Sequence, residues 1–371
     1  MQIRLALSGE ADQGKGRNNT RPCLAWQRYL VLRISRLSVK GEGMLAVVQS
    51  APGGVDTLRL DEIAAPVRGA GQLLLRVMAA GINRADLAQR AGHYPPPPGA
   101  SPILGLEVAG VVEEADADSR FKPGDAVFGL IGGGGYAEYA LLDEALAIAK
   151  PDWLSWVEAA SLPEAWMTAW FNLVEKAGLQ AGETVLVHAG ASGVGAAAIQ
   201  LAGLLGAQAF ASVGSEEKAA FCRELGAAQV FNYRQTAAFG AVVKGWGGAD
   251  VVLDPVGASY LNDNLAALKP DGRLVNIGLL GGARAELNLG ALLMKRIALI
   301  GSTLRPQPLE VKARLARALE TRILPALEQG RLRVTLDSSY PLAQVGDAHA
   351  YVEANRNLGK VVLTLFPVLA G

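Results

Sequence analysis

Residues 185–200 read V-L-V-H-A-G-A-S-G-V-G-A-A-A-I-Q. A short β-branched apolar run at 185–187 leads into a turn carrying Gly190, Gly193 and Gly195, and a small-residue helical stretch follows at 196–205. This order sets a helix N-terminus, with its unpaired N–H groups and positive dipole end, at the tip of a strand. Glycines let a ligand approach the backbone closely, so the stretch predicts a pyrophosphate cradle. Gly190, Ser192, Gly193, Val194 and Gly195 are its candidate contacts. The spacing G-x-x-G-x-G departs from the common G-x-G-x-x-G.

Outward from this turn, the pattern alternates strands and helices. Runs at 209–213, 229–231, 251–253 and 274–277 read as buried strands, with helical stretches at 216–225 and 260–268 between them. That is the signature of a doubly wound parallel sheet. Upstream, from 44 to about 142, Pro and Gly separate short strand-like runs at 45–49, 73–77, 109–112 and 126–128, which suits a mostly β unit. Downstream come a helix at about 309–329, a short stretch at 333–336, an amphipathic stretch at 342–355 and a strand at 360–365. His349 falls in the amphipathic stretch, where a partly packed or surface position is expected. Residues 1–43 are Arg-rich and poor in acidic residues, and read as a disordered extension, a targeting segment or a mis-assigned start ahead of Met44.

Composition narrows the class. The 371 residues suffice for two domains, and Lys plus Arg equals Asp plus Glu at 35 each, so no global basic field suggests nucleic acid or an anionic membrane. Two cysteines, Cys23 and Cys222, give no disulfide framework. Together with His93, His188 and His349 they form no metal-ligand spacing. No apolar run is long enough for a transmembrane helix. The expectation is a cytoplasmic protein without a metal.

The second strand of the α/β part ends at Gly214-Ser215, about 20 residues past the turn. An acidic residue there would hold a ribose 2′-hydroxyl; its absence, with Lys218 just beyond, removes repulsion from a 2′-phosphate and adds attraction. Tyr233, after the third strand, can add a hydroxyl. These residues favour NADP over NAD, with Glu216 and Glu217 as the opposing signal. His188, just before the turn, reads as a packed histidine.

Five stretches now carry a family resemblance: G-I-N-R-A-D-L-A-Q-R-A-G-H-Y-P-P-P-P-G-A-S (81–101), I-L-G-L-E (103–107), L-P-E-A-W-M-T-A-W (162–170), H-A-G-A-S-G-V-G (188–195) and N-R-N-L-G-K-V-V-L (355–363). The chain from 44 to about 365 resembles the zinc-independent quinone oxidoreductases of the medium-chain dehydrogenase/reductase superfamily, closest to the p53-inducible group. Their cofactor turn has the form A-x-x-G-x-x-G. Ala189 and Gly195 fit its ends, and Ser192 replaces the middle glycine. Where zinc-dependent relatives carry a ligating cysteine and histidine, this chain has Asn83 and Leu106. A leucine methyl cannot replace an imidazole as a metal ligand.

The resemblance implies an α/β fold with two domains. A GroES-like, mostly β catalytic domain would comprise residues 44–165 and 312–371. A Rossmann NADP-binding domain with a doubly wound parallel sheet would comprise 166–311. The implied activity is NADPH-dependent reduction of a quinone, with enone or enoyl C=C reduction and a non-catalytic, crystallin-like NADPH-binding role as alternatives. Asn83 and Tyr94 are implied to line the acceptor site, with Asp86 nearby as a catalytic group or a structural partner. A tyrosine that one branch carries two positions after this aspartate is Ala88 here. Thr168, Gly278, Leu279, Asn357 and Lys360 are implied at the nicotinamide end; the plain alternative for Lys360 is a solvent-facing lysine at a strand start. Family members commonly join sheet edges into homodimers, and 297–303 is apolar enough to be such an edge.

Overall fold

The computed structural model describes residues 43–365; residues 1–42, with Cys23 and nearly all of the extension expected at 1–43, lie outside the described residues, as do 366–371. The first element among the described residues is the strand Gly43–Gln49, which pairs antiparallel with Leu58–Ala64.

Six parallel strands from the middle of the chain form one sheet. Their spatial order is Ala227–Asn232, Gln208–Val213, Thr184–Val187, Ala249–Asp254, Leu268–Asn276 and Ala298–Gly301. In chain order this is third, second, first, fourth, fifth, sixth. The winding therefore reverses between Thr184–Val187 and Ala249–Asp254, where open α/β sheets leave a crevice for ligands. Successive side chains of a strand point to opposite faces. Val185 and Val187 accordingly join Ala209, Ala211, Val251 and Leu253 in one core. Leu186 joins Phe210, Phe231, Val252 and Leu274 in the other. Burial on both faces explains why these strands read as unbroken apolar runs. The helix Gly193–Leu204 packs on the first face through Ala196, Ala197, Ala198 and Ala202, all buried.

The second sheet is mixed and has seven strands. In spatial order they are Leu336–Pro341, Lys360–Thr364, Gln72–Ile82, Glu107–Glu114, Ala126–Leu130 and Ile148–Ala149, with Tyr139–Asp143 also paired to Gln72–Ile82. It draws on both sides of the parallel-sheet segment. Val361 lies opposite Ile82, which brings Lys360 beside Asn83. The fold class is the expected one: a mostly β, GroES-like part and a Rossmann part.

Local departures have physical causes. The helix expected at 309–329 is Leu309–Ala318, a π turn at Leu319–Ile323, then Leu324–Glu328. Pro325 cannot donate to a carbonyl four residues back, and its ring crowds that carbonyl, so the helix widens ahead of it. The stretch expected at 333–336 contributes only its last residue to the strand Leu336–Pro341. The helices Trp156–Ala159, Pro163–Trp170, Phe239–Gly245 and Leu289–Lys295 were not anticipated. His349 is fully buried rather than partly packed or on the surface. It shares a face of its helix with Val345, Ala348 and Val352. Its ring nitrogens sit 3.4 Å from Arg90 Nη1 and 3.2 Å from the Tyr136 hydroxyl. Burial, helped by Arg90, pushes its pKa down to about 3. No helix among the described residues is long and apolar enough to cross a membrane.

Candidate active site

The glycine-rich turn is built as its sequence requires. Ala189 takes a left-handed φ of 52°. Ser192 caps the following helix, its Oγ accepting from Gly195 N at 3.1 Å. Thus the serine that replaces the middle glycine satisfies one orphan donor of the first turn. A Cβ on Gly195 would lie 2.3 Å from the Ala189 carbonyl oxygen and 2.7 Å from that of Gly190, so only glycine fits. Gly190 packs against Ala211 and Cys222. Gly193 is different: its Cβ would strike the Lys360 side chain, 2.4 Å from Cδ. The backbone around Lys360 is tied to the same turn, with Gly359 N donating to the Ala191 carbonyl at 2.8 Å. His188 is a packed residue, its ring held between the Ser212 hydroxyl and the Asn264 amide oxygen, both at 2.7 Å.

At the far end of the second strand, Ser215 caps the helix Glu216–Glu224 by accepting from Lys218 N. Gly214 is closely covered by Tyr233, whose hydroxyl would lie 2.5 Å from a Cβ there. Lys218 Nζ donates to the Asn355 carbonyl at 2.5 Å. Burial lowers the pKa of Lys218, and the charges of Arg84 and Arg234 lower it further. Arg84 itself donates to the Val352 carbonyl at 2.8 Å and to Asn355 Oδ1. Arg84 and Arg234 thus act on Lys218 in the region where an NAD site would carry a carboxylate, with the charges of Glu217 and Asp337 opposing them. Glu216 and Glu217 are exposed. Sequence reasoning missed Arg84 and Arg234; the run Tyr233-Arg234 was a signal for the second, but Arg84 comes from the other part of the chain.

From the turn, Lys360 reaches into a buried network. Its Nζ lies 2.5 Å from Glu107 Oε1, 2.5 Å from Asn83 Oδ1 and 3.0 Å from the Ile82 carbonyl oxygen. Side-chain exposure is 5% for Lys360 and 0% for Glu107, so the solvent-facing alternative for Lys360 is wrong. Asn83 Nδ2 donates to the same Glu107 oxygen at 2.9 Å. The other Glu107 oxygen accepts from Glu164 N, at the start of the helix Pro163–Trp170. Both ends of the Asn83 amide are therefore engaged within the protein. Asp86 is fully buried and accepts from Asn83 N at 2.8 Å and Gly105 N at 2.9 Å. It braces backbone, which is the structural option for this residue. Burial raises its pKa to about 6 even against those donors.

Tyr94 stands apart from that network, beside a second set of charges. Its ring lies under the Arg305 guanidinium, 5.6 Å from centroid to Cζ. Burial raises the Tyr94 pKa, as does the charge of Glu164. Glu164 and Thr168 are four apart on one helix and both partly exposed, so they share a face. Burial raises the Glu164 pKa to about 8, with Glu107 adding to it. Neither Glu164 nor Arg305 was singled out from sequence. Leu-Pro-Glu at a helix start was a weak signal for the first, and nothing marked the second. At the remaining positions, the Gly278 carbonyl accepts from Asn276 Nδ2 at 3.0 Å, Leu279 is 57% exposed, and Asn357 Nδ2 donates to the Gly359 carbonyl at 2.7 Å. Among the described residues no group of three His, Cys, Asp or Glu side chains is placed to hold a metal ion.

A parallel sheet with a glycine-rich turn at its switch point, facing a β part that brings polar side chains to that turn, defines a nucleotide-dependent oxidoreductase. Residues 69–152 match the alcohol dehydrogenase GroES-like domain and residues 193–320 the zinc-binding dehydrogenase family. The human (Homo sapiens) quinone oxidoreductase is 33% identical over 319 residues, 84% of this chain and 95% of that protein. A mycobacterial protein solved in complex with NADPH is 31% identical with a TM-score of 0.78, covering 87% of this chain and 100% of its own. The CurK enoyl reductase is 27% identical with a TM-score of 0.75, covering 86% and 99%. The chain belongs to the medium-chain dehydrogenase/reductase superfamily, with quinone oxidoreductases among its relatives.

Proposed function

We propose that this oxidoreductase is an NADPH-dependent quinone reductase that works without zinc. The observation that carries the cofactor choice is the convergence of Lys218, Arg84 and Arg234 at the end of the second strand, beside Gly214 and Ser215. This donor set fits a 2′-phosphate, with Tyr233 within reach of the same group. The helix N-terminus at Gly193, capped by Ser192 and opened by Gly195, fits the pyrophosphate. Val194 and Gly190 complete that turn; Thr168, Gly278, Leu279, Asn357 and Lys360 belong to the nicotinamide end. When bound, the cofactor supplies a hydride. The protein aligns the acceptor, excludes water and stabilises the charge that develops on it.

Asn83, Glu107 and Lys360 form a rigid floor beneath the turn. A lysine shared by a carboxylate and an amide cannot swing, so the turn and the acceptor side keep a fixed relation. Asp86 supports this floor from below, and Tyr94 contributes a hydroxyl at the acceptor side. Enone or enoyl reduction is the second reading, favoured by the likeness to an enoyl reductase. The protein acts as a cytoplasmic homodimer joined through the edge strand Ala298–Gly301.

A steady-state screen tests the reading. 1,2-Naphthoquinone, 1,4-benzoquinone and small enones are offered with NADPH and, separately, NADH. Quinone turnover with at least about tenfold preference for NADPH, one charge-assisted contact's worth, is expected. Turnover of enones alone supports the second reading, and cofactor binding without turnover supports a non-catalytic role.

A further inference from the structure

We propose that Arg305 binds the acceptor oxygen on which negative charge develops, and that Glu164 beside it returns the proton. The proposal rests on the reductase reading above and adds the residues that choose its substrate.

Arg305 is only 7% exposed. Its Nε and Nη2 both donate to one carbonyl, that of Gly132, at 3.0 and 2.7 Å. This double contact fixes the guanidinium plane. Nη1 is buried and, among the described residues, has no hydrogen-bond partner. Leaving a charged donor buried and unmatched is costly, so such a group is a feature that calls for a ligand. No carboxylate forms an ion pair with it among the described residues. The Tyr94 ring lies against its face.

Arg305 and Glu164 line one small cavity with Leu106, Leu130, Ile131 and Lys312. Its volume, about 10 Å³, admits a single oxygen atom rather than a ring. A conjugated carbonyl that puts its oxygen there keeps its ring outside the cavity. The lining carries two cations, Arg305 and Lys312. Glu164 does not cancel them at neutral pH, because burial and the charge of Glu107 keep it protonated up to about 8. The other charged groups acting on it are Asp86, Lys360 and Arg305, and it in turn acts on Tyr94.

The chemistry balances. When bound, the reduced nicotinamide would supply the hydride, that is, two electrons and one proton, to the conjugated acceptor. Conjugation leaves the negative charge on the carbonyl oxygen, where Arg305 Nη1 donates to it. The Glu164 O–H bond breaks as the new bond to that proton forms on the substrate. The carboxylate then regains a proton from solvent. The site therefore selects acceptors with a carbonyl conjugated to the reacting carbon, and it binds phenolates.

The test uses the full chain with Arg305→Met and Glu164→Gln, each checked for folding by its thermal midpoint. Binding of 4-nitrophenolate to the NADP⁺-loaded protein is followed by calorimetry, and acceptor reduction by steady-state kinetics. Arg305→Met should weaken phenolate binding at least about tenfold and lower kcat/KM for the acceptor about 100-fold, the usual cost of one oxyanion donor. NADPH affinity should hold. Glu164→Gln should lower kcat and abolish the fall in rate as pH rises through about 8. A folded Arg305→Met protein within threefold of wild type in both measurements overturns the proposal and leaves Arg305 a packing residue. An unchanged pH profile in Glu164→Gln overturns the proton role. If the wild-type protein reduces no acceptor, the reductase reading fails, but the phenolate measurement still decides whether Arg305 is an anion site.

Discussion

Lys360 shows how one residue can join two parts of the chain. Its stem occupies the space that a side chain on Gly193 would need, and its ammonium pairs with Glu107 out of water. Removing one partner of a buried pair leaves the other charge unmatched. Lys360→Met should therefore destabilise the fold by about 3–5 kcal/mol, read from chemical denaturation. Adding Glu107→Gln should restore much of the loss, since Gln can still accept from Glu164 N. Equal stability of the single and double variants would show that charge is not what matters there. Sequence motifs exposed Asn83, Asp86 and Lys360, because each sits in a distinctive run. They could not expose their pairing, since Asn83, Glu107 and Lys360 meet only when the strand Lys360–Thr364 docks on Gln72–Ile82. Arg305, an isolated arginine after Leu304, carries no local signal at all.

At the scale of elements, the strands of the parallel sheet were legible because burial on both faces leaves continuous apolar runs. The helix Leu289–Lys295 was not, and its exposure explains why. Leu289, Leu293 and Met294 are 67%, 75% and 78% exposed, so its apolar residues do not mark a core-facing stripe. Next to it in sequence, the strand Ala298–Gly301 pairs, among the described residues, only with Leu268–Asn276 and leaves its other edge open, with Leu299 42% exposed. An open apolar edge invites pairing with a second copy. Leu299→Lys combined with Leu293→Glu should convert a dimer to a monomer in light scattering after size-exclusion chromatography, with the fold intact by circular dichroism. A wild-type monomer at micromolar concentration would remove this edge as an interface.

Across the whole molecule, two carboxyls hold protons more tightly than they would in an unfolded chain. Burial raises Asp86 to about 6 and Glu164 to about 8. The folded state then binds more protons than the unfolded state between the ordinary carboxyl range and those values. Stability consequently falls as pH rises from about 4 to 6 through Asp86, and further to about 8 through Glu164. Buried His349, whose pKa is pushed down to about 3, works in the opposite direction up to about 6.5, so the decline is read above that range, where the denaturant midpoint at pH 8 should lie below that at pH 7. Glu164→Gln should flatten the upper part of the decline, and an equally steep decline in that variant would assign the effect elsewhere. The fold class and the glycine-rich turn follow from local sequence. The buried network of Asn83, Glu107 and Lys360 does not, because it is assembled from segments that lie far apart along the chain.

That assembly has a consequence for biosynthesis. The strand carrying Lys360 is synthesised 253 residues after Glu107, yet it supplies that residue's counter-charge and the backbone contact that steadies the turn at Ala191. Until it docks, the nascent chain holds an unmatched carboxylate at the heart of its β part and a loosely held nucleotide turn. Assembly of this buried network thus waits for synthesis past residue 360, and a product broken off before it carries a built-in mark of its own incompleteness.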